Sequence, residues 1–404
     1  MSLLHYPWMR LLRVGNLAYI AVLLLLLRFC IIEPIFARMQ LNPTMPLWGF
    51  VCLLLSVVAA AAAGYVLNDI ADVSTDRVNR PQRITVGQTI SPQTAQQAGL
   101  WLNIAAIVLG FVAGYSVGNY RLGWIPVVCV LLLLQYARNW KQTALWGNIV
   151  VSGLAALAVL IPALFETELF YALKDYLVAA ALGVLGYGTP VASPEAYTTG
   201  LAPTMLAYIV PYTAFAFLLT LTREIVKDIE DVPGDQQSGY RTLPIVGGLA
   251  WAKLAALVPL LLCIQGMVRF VLRQLTNADF IAAVGGSVLI LLPLLWLVWK
   301  LWNATDIPDF GRLSRACKII MAIALLYLPY VALQVPNMTI VAATPPDSGA
   351  APEINLPTGL PDEVITDIKI DTILRTGDLA PEDTDITKQP EIIIGKPTII
   401  DDKP

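Results

Sequence analysis

Long apolar runs separated by short polar stretches make up most of this chain. They fall at about 14–33, 46–67, 97–118, 122–137, 144–165, 203–222, 245–268, 280–299 and 318–336. The hydrocarbon core of a bilayer is roughly 30 Å thick and takes about 20 helical residues to cross, fewer or more with tilt. The pattern therefore predicts an all-α polytopic membrane protein with nine spanning helices. Residues 176–192 are also apolar but are interrupted by glycines and by Pro190. A single crossing there would put the polar stretches on either side of it on opposite faces of the membrane. We therefore read about 168–202 as an inserted re-entrant or surface segment. From about 339 the apolar runs stop. Residues 339–404 are rich in Pro, Asp and Thr, a composition that cannot bury enough apolar surface to fold alone. The expected organisation is a membrane domain over 1–338 and a disordered extramembrane tail over 339–404.

Composition narrows the class further. The 404 residues are 57% hydrophobic and 14% charged, with a mean hydropathy of +0.68, which suits a membrane protein and no soluble domain of this size. The balance of 26 basic to 29 acidic residues, with no basic stripe, argues against a nucleic-acid partner. Cys30, Cys52, Cys129, Cys263 and Cys317 are scattered through apolar runs without ligand spacing, and His5 is the only histidine. Histidine-based acid–base chemistry and sites for softer metals are thereby excluded. Lysine and arginine are also placed unevenly. With a cytoplasmic N-terminus, the inner segments hold most of them, and the outer loops hold only Arg38, Arg121, Lys174, Arg269 and Arg273. The positive-inside rule then favours that orientation, in the inner (cell) membrane.

Two acidic clusters stand out against this background. The first is Asn68-Asp69-x-x-Asp72-x-x-x-Asp76-Arg77, and the second is Arg223-Glu224-x-x-Lys227-Asp228-x-Glu230-Asp231-x-Pro233-Gly234-Asp235. On a helix Asn68, Asp72 and Asp76 share one face at i, i+4 and i+8, with Asp69 about 100° away. Glu224, Asp228 and Asp231 likewise recur at i, i+4 and i+7. Pro233-Gly234 is expected to end the second helix, leaving Asp235 in the turn beyond it. Both clusters fall on the predicted cytoplasmic side. Carboxylates this dense repel one another unless cations join them, and an all-oxygen donor set matches Mg²⁺ or Mn²⁺. Interleaved Arg77, Arg80, Arg83, Arg223 and Lys227, with Lys141 between the clusters, would hold a polyanion bridged by the metal. Glu166, Glu168 and Asp279 read as ordinary outer-loop charges, and Trp101, Trp124 and Trp146 as interfacial belt residues.

These motifs resemble the UbiA superfamily of intramembrane prenyltransferases over about residues 8–336. Asn68-Asp-x-x-Asp72-x-x-x-Asp76-Arg-x-Asn79-Arg-Pro81 is similar to the family's first aspartate motif. Asp231-x-x-x-Asp235, preceded by Asp228, is similar to the second. Tyr136, Lys141, Gly147-Asn148 and Lys318 match further recurrent positions. Arg13-Val-Gly-Asn16, Arg223–Asp231 and Thr242-Leu-Pro244 look most like digeranylgeranylglyceryl phosphate synthases, although Gln82-Arg83-Ile-Thr-Val-Gly87 departs from that branch's usual Arg-Pro-Ile-Pro-Ser-Gly.

The resemblance implies nine helices around a central cavity with a cytoplasmic cap, and Mg²⁺-assisted transfer of a polyprenyl group from an allylic diphosphate donor. It implies Asn68, Asp72, Asp76, Asp228, Asp231 and Asp235 as metal ligands. Lys141, Tyr136 and Arg223 would be catalytic residues, and Arg77, Arg80, Arg83, Lys227 and Asn16 substrate contacts. Two acceptors stay open: a glycerol-phosphate prenyl ether lipid, slightly favoured by the abundant cations, and an aromatic acid of quinone synthesis. A cation-coupled transporter is the alternative from another class. It would need ionisable residues at the bilayer midplane and internal repeats.

Overall fold

The computed structural model describes residues 6–38, 40–166 and 201–334, without the side chains of Arg83 and of residues 201–203. The inserted segment at about 168–202, the tail at 339–404 and Glu168 lie outside the described residues. Among those described, nine helices are long and apolar enough to cross a membrane: α1 (Val14–Arg38), α2 (Leu47–Ala71), α3 (Pro92–Ser116), α4 (Tyr120–Arg138), α5 (Trp146–Leu164), α6 (Thr204–Gln237), α7 (Leu243–Thr276), α8 (Phe280–Asn303) and α9 (Ile307–Gln334). The described residues contain no strand, only an isolated bridge between Val86 and Ile90.

Local signals explain several helix starts. Ser91 Oγ accepts from Thr94 N–H at 3.1 Å and Pro92 takes the first helical position of α3, a position where its missing N–H costs nothing. Asp279 does the same for α8, accepting from Ala282 N–H at 3.0 Å. Helix α1 follows Arg13, whose backbone is left-handed at φ +50°. The helices then pack through small residues, as expected where lipid offers no hydrophobic drive to associate. Ala59, Ala60 and Ala63 of α2 are buried with Ala106 and Ala113 of α3, and Ser56 Oγ donates to Ala106 C=O at 2.6 Å. Outward-facing apolar side chains remain exposed, among them Trp101, Trp124 and Trp146, as a lipid-facing surface requires.

Two helices run furthest beyond the apolar pattern. Helix α6 passes Pro233-Gly234 and continues to Gln237, so Asp235 lies on the helix and not in a turn. Helix α9 begins at Ile307, because the polar turn Ile307–Lys318 is helical although it is not apolar. The glutamate and aspartate read as loop charges are also corrected. Glu166 is fully buried, accepting from Arg28 Nη1 at 2.7 Å and from Thr44 N–H at 2.7 Å. Arg28, itself buried in a π-helical turn of α1 (Arg28–Ile32), also donates to Glu33 at 3.0 Å and to Met45 C=O at 2.8 Å. Asp279 accepts from the Tyr330 hydroxyl at 2.5 Å as well as capping α8.

Candidate active site

The last turns of α2 bring Asn68 and Asp69 to one end of the bundle, and there the helix breaks at Asp72 (φ −87°, ψ 0°). A two-turn helix, Val73–Asn79, carries Asp76 onward. The expected single face is thus a face with a kink in it, though Asp76 N–H still donates to Asp72 C=O at 2.8 Å. Asn68 Nδ2 donates to Asp72 Oδ2 at 2.7 Å, and Thr75 Oγ1 to Asp72 Oδ1 at 3.3 Å. Arg13 Nη2 donates to Asp69 Oδ1 at 2.6 Å and its guanidinium lies 5.1 Å over the Tyr65 ring.

Lys141 reaches the first cluster from the short turn Trp140–Gln142. Its Nζ pairs with the Asp72 carboxylate and donates to Asn68 Oδ1 at 3.2 Å. Gly147 makes this possible: a Cβ there would lie 2.8 Å from Trp140 C=O and 3.1 Å from the Tyr136 ring, so only glycine lets the turn pack against α5. Burial, followed by the neighbouring Lys227, lowers the Lys141 ammonium to about 7, with Asp235 and Asp231 opposing the shift. Burial raises the Asp76 carboxyl above its ordinary value, Asp69 adding to the effect and Arg80 opposing it.

The second cluster descends the C-terminal end of α6. Asn148 Nδ2 donates to Asp228 Oδ2 at 2.8 Å, Lys227 Nζ lies 3.5 Å from Asp231 Oδ2, and Arg223 pairs with the buried Glu224. The two clusters meet directly. Arg80 Nη2 is 2.7 Å from Asp231 Oδ1 and 3.4 Å from Glu230 Oε1, so Arg80 is engaged within the protein. Both clusters therefore sit at the same end of the bundle.

Beneath them lies a cavity of about 570 Å³. Its polar end is lined by Arg13, Asn16, Asn68, Tyr136, Arg223, Glu224, Lys227 and Lys318. Most of the rest is apolar, walled by residues such as Leu23, Ala61, Leu133, Ala158, Phe215 and Ala322. Of the expected metal ligands, Asn68 lines the cavity, while Asp72, Asp76, Asp228, Asp231 and Asp235 sit outside its lining. Asp72 and Asp235 are buried. Arg77 is exposed on the Val73–Asn79 helix, and only the backbone of Arg83 is described, in a short turn Pro81–Arg83.

The donor set fits a hard divalent cation, being carboxylate and amide oxygen throughout. Among the described residues no three His, Cys, Asp or Glu side chains converge closely enough to hold an ion by themselves. A cation here would be shared with the oxygens of a bound polyanion, as Mg²⁺ commonly is. Sequence reasoning left three members of this end of the molecule without a role: Asp69, held by Arg13; Glu224, held by Arg223; and Asn79, which contacts α6. Asp69 and Glu224 lie in the motifs themselves; Glu224 pairs with its sequence neighbour, whereas the Arg13–Asp69 pair spans 56 positions and is a tertiary contact that spacing does not reveal.

Fold and site together define a polytopic helical membrane protein with a charged site over an apolar cavity. The chain belongs to the UbiA prenyltransferase family, whose profile matches residues 26–317. It is 31% identical over 211 residues to the digeranylgeranylglyceryl phosphate synthase of Methanosphaera stadtmanae, a match covering 52% of this chain and 62% of that protein. The protein of the same name from Methanobrevibacter smithii is 28% identical over 295 residues, 71% of this chain and 85% of that one. A solved structure concerning digeranylgeranylglyceryl phosphate synthase in membranes shares the fold. Its TM-score is 0.50 at 20% identity, over 81% of this chain and 98% of that one.

Proposed function

We propose that the protein transfers a polyprenyl group from an allylic diphosphate to a membrane-bound acceptor, with a glycerol-phosphate prenyl ether lipid as that acceptor. The observation that carries this is the two-ended cavity. Its apolar length suits an isoprenoid tail, and its charged end lies against both acidic motifs. In the proposed site Asn68, Asp72, Asp76, Asp228, Asp231 and Asp235 hold Mg²⁺, directly or through water, and Lys141, Arg223 and Lys227 contact the diphosphate. When bound, the cation neutralises the negative charge that develops on the departing diphosphate. The C–O bond of the donor breaks and the electron pair leaves with the diphosphate. An acceptor hydroxyl oxygen then captures the allylic cation and loses its proton to the departed diphosphate. Tyr136, at the polar end of the cavity, offers its ring face to that cation. The apolar walls keep out water, which would otherwise quench it.

The lipid acceptor is supported by the names of the relatives and by cations beyond those the donor needs: Arg13 and Lys318 also line the polar end. Asn16 lies beside Arg13 on the first turn of α1 and lines the same end. The distribution of lysine and arginine supports a site on the cytoplasmic face of the cell membrane.

The test is prenyl transfer by purified protein in detergent with Mg²⁺ and radiolabelled geranylgeranyl diphosphate. Geranylgeranylglyceryl phosphate and a panel of aromatic acids are offered separately. An ether-lipid product that is lost in Asp72→Ala and in Asp231→Ala is the expected result. Product with an aromatic acid alone would replace the acceptor and keep the mechanism. No product and no metal-dependent release of diphosphate would overturn the reading.

A further inference from the structure

The helix that carries the second acidic motif contains a defect that its own backbone cannot repair. Pro233 has no N–H to give to the preceding turn, and its ring pushes against the carbonyl four residues back. A proline in the interior of a helix commonly ends or kinks it, yet α6 continues to Gln237 with Asp235 buried on it. The turn that Pro233 disturbs is braced instead from far away in sequence. Asn79 Oδ1 accepts from Gly234 N–H at 2.8 Å, and Asn79 Nδ2 donates to Asp231 C=O at 3.0 Å. One primary amide thus supplies both an acceptor and a donor to the disturbed turn. Gly234 admits it, because a Cβ there would stand 2.5 Å from Asn79 Nδ2 and 2.7 Å from Thr75 C=O.

The position of this splice is what gives it a consequence. Asn79 closes the short helix that carries Asp76, and its neighbour Arg80 is bound to Asp231 and Glu230. The turn it repairs is the one between Asp231 and Asp235. The Asn79 amide therefore joins the backbone of the first acidic motif to the backbone of the second. Neither motif gathers enough carboxylates to hold an ion alone, so their spacing decides whether a cation-bridged polyanion can span them.

We propose that Asn79 is a positioning residue that sets the separation and register of the two acidic motifs, through its paired hydrogen bonds to Gly234 and Asp231. Both atoms of its amide are engaged with the backbone of α6, so it acts through the motifs. The proposal rests on the reading of the motifs as a shared cation and diphosphate site.

Two variants separate this from a general structural role. Asn79→Asp keeps the oxygen that accepts from Gly234 N–H but turns a second oxygen, in place of a donor, toward Asp231 C=O. Asn79→Ala removes both bonds. The first readout is amide hydrogen exchange by mass spectrometry on substrate-free protein in detergent, and it needs no activity. Both variants are expected to exchange at least about tenfold faster across residues 228–240, with α3 and α4 unchanged. The second readout is Mn²⁺ binding followed by electron paramagnetic resonance in the presence of inorganic pyrophosphate. A loss of about tenfold or more in Mn²⁺ affinity is expected, reproduced by Gly234→Ala.

Wild-type exchange across 228–240 in both variants overturns the proposal. Faster exchange with unchanged Mn²⁺ affinity also overturns it, because the contact would then support the helix and not the site. If Asn79→Ala does not fold, Asn79→Asp alone decides by the same two criteria. If the variants behave as expected while the wild-type protein transfers no prenyl group, the functional reading falls and the positioning role stands.

Discussion

At the scale of single residues, Lys141 shows how a site borrows its chemistry from its setting. An ordinary lysine stays charged to well above neutrality, but burial and the nearby Lys227 bring this one to about 7. Below that pH the ammonium is available to an anionic donor; above it the charge is progressively lost. Affinity for inorganic pyrophosphate, measured with Mg²⁺ by calorimetry, should therefore weaken as pH rises from about 7 to 9. Lys141→Arg should flatten that profile, since a guanidinium keeps its charge throughout the range. Gly147 acts one step back. Gly147→Ala should leave the protein folded but displace the Lys141 turn, lowering kcat by about 10²-fold, the size of loss that a displacement of about 1 Å produces.

At the scale of elements, the Arg28–Glu166 network ties α1 to the end of α5 and to the loop before α2. Breaking a buried ion pair from one side costs about 3–5 kcal/mol, because the remaining charge stays buried without a partner. Glu166→Gln and Arg28→Met should each lower the thermal unfolding temperature in detergent, and the Arg28→Met/Glu166→Met double variant should recover a substantial part of the loss. The apolar pattern made the nine helices legible, because spanning length and composition are written locally. It missed this network because Arg28 sits inside an apolar run, and only tertiary structure names its partner. A lone arginine in a spanning segment is nonetheless a readable signal. The continuation of α6 through Pro233-Gly234 was illegible for a different reason. Proline and glycine report local preference, and the hydrogen bonds that override them come from Asn79.

At the scale of the whole molecule, the cavity couples the charged end to the apolar core. Ala61 lines its wall seven residues before Asn68 on α2, about 10 Å away along the helix at 1.5 Å per residue. Ala61→Phe should shorten the usable space. In a competition among donors of increasing prenyl length, the preference should shift toward the shorter ones, with metal dependence unchanged. Both acidic motifs were legible in the sequence as oxygen-rich faces flanked by cations. Their meeting was not, since the contacts joining residues 79–80 to 231–234 bridge more than 150 positions. The cations also divide in a way that spacing does not announce: Arg80 ties the motifs together, Arg13 and Arg223 line the cavity, and Arg77 faces outward.

The repaired turn of α6 also bears on how the molecule is made. A chain is synthesised from its N-terminus. Asn79 leaves the ribosome long before Pro233, so the partner of the disturbed turn is already made when that turn emerges. The final turn of α6 can then be completed only against a partner already built. Two halves produced as separate polypeptides, divided between α5 and α6, would have to find each other before the second could finish its own helix. The acidic motif at its end would come into register at that moment of assembly and not before.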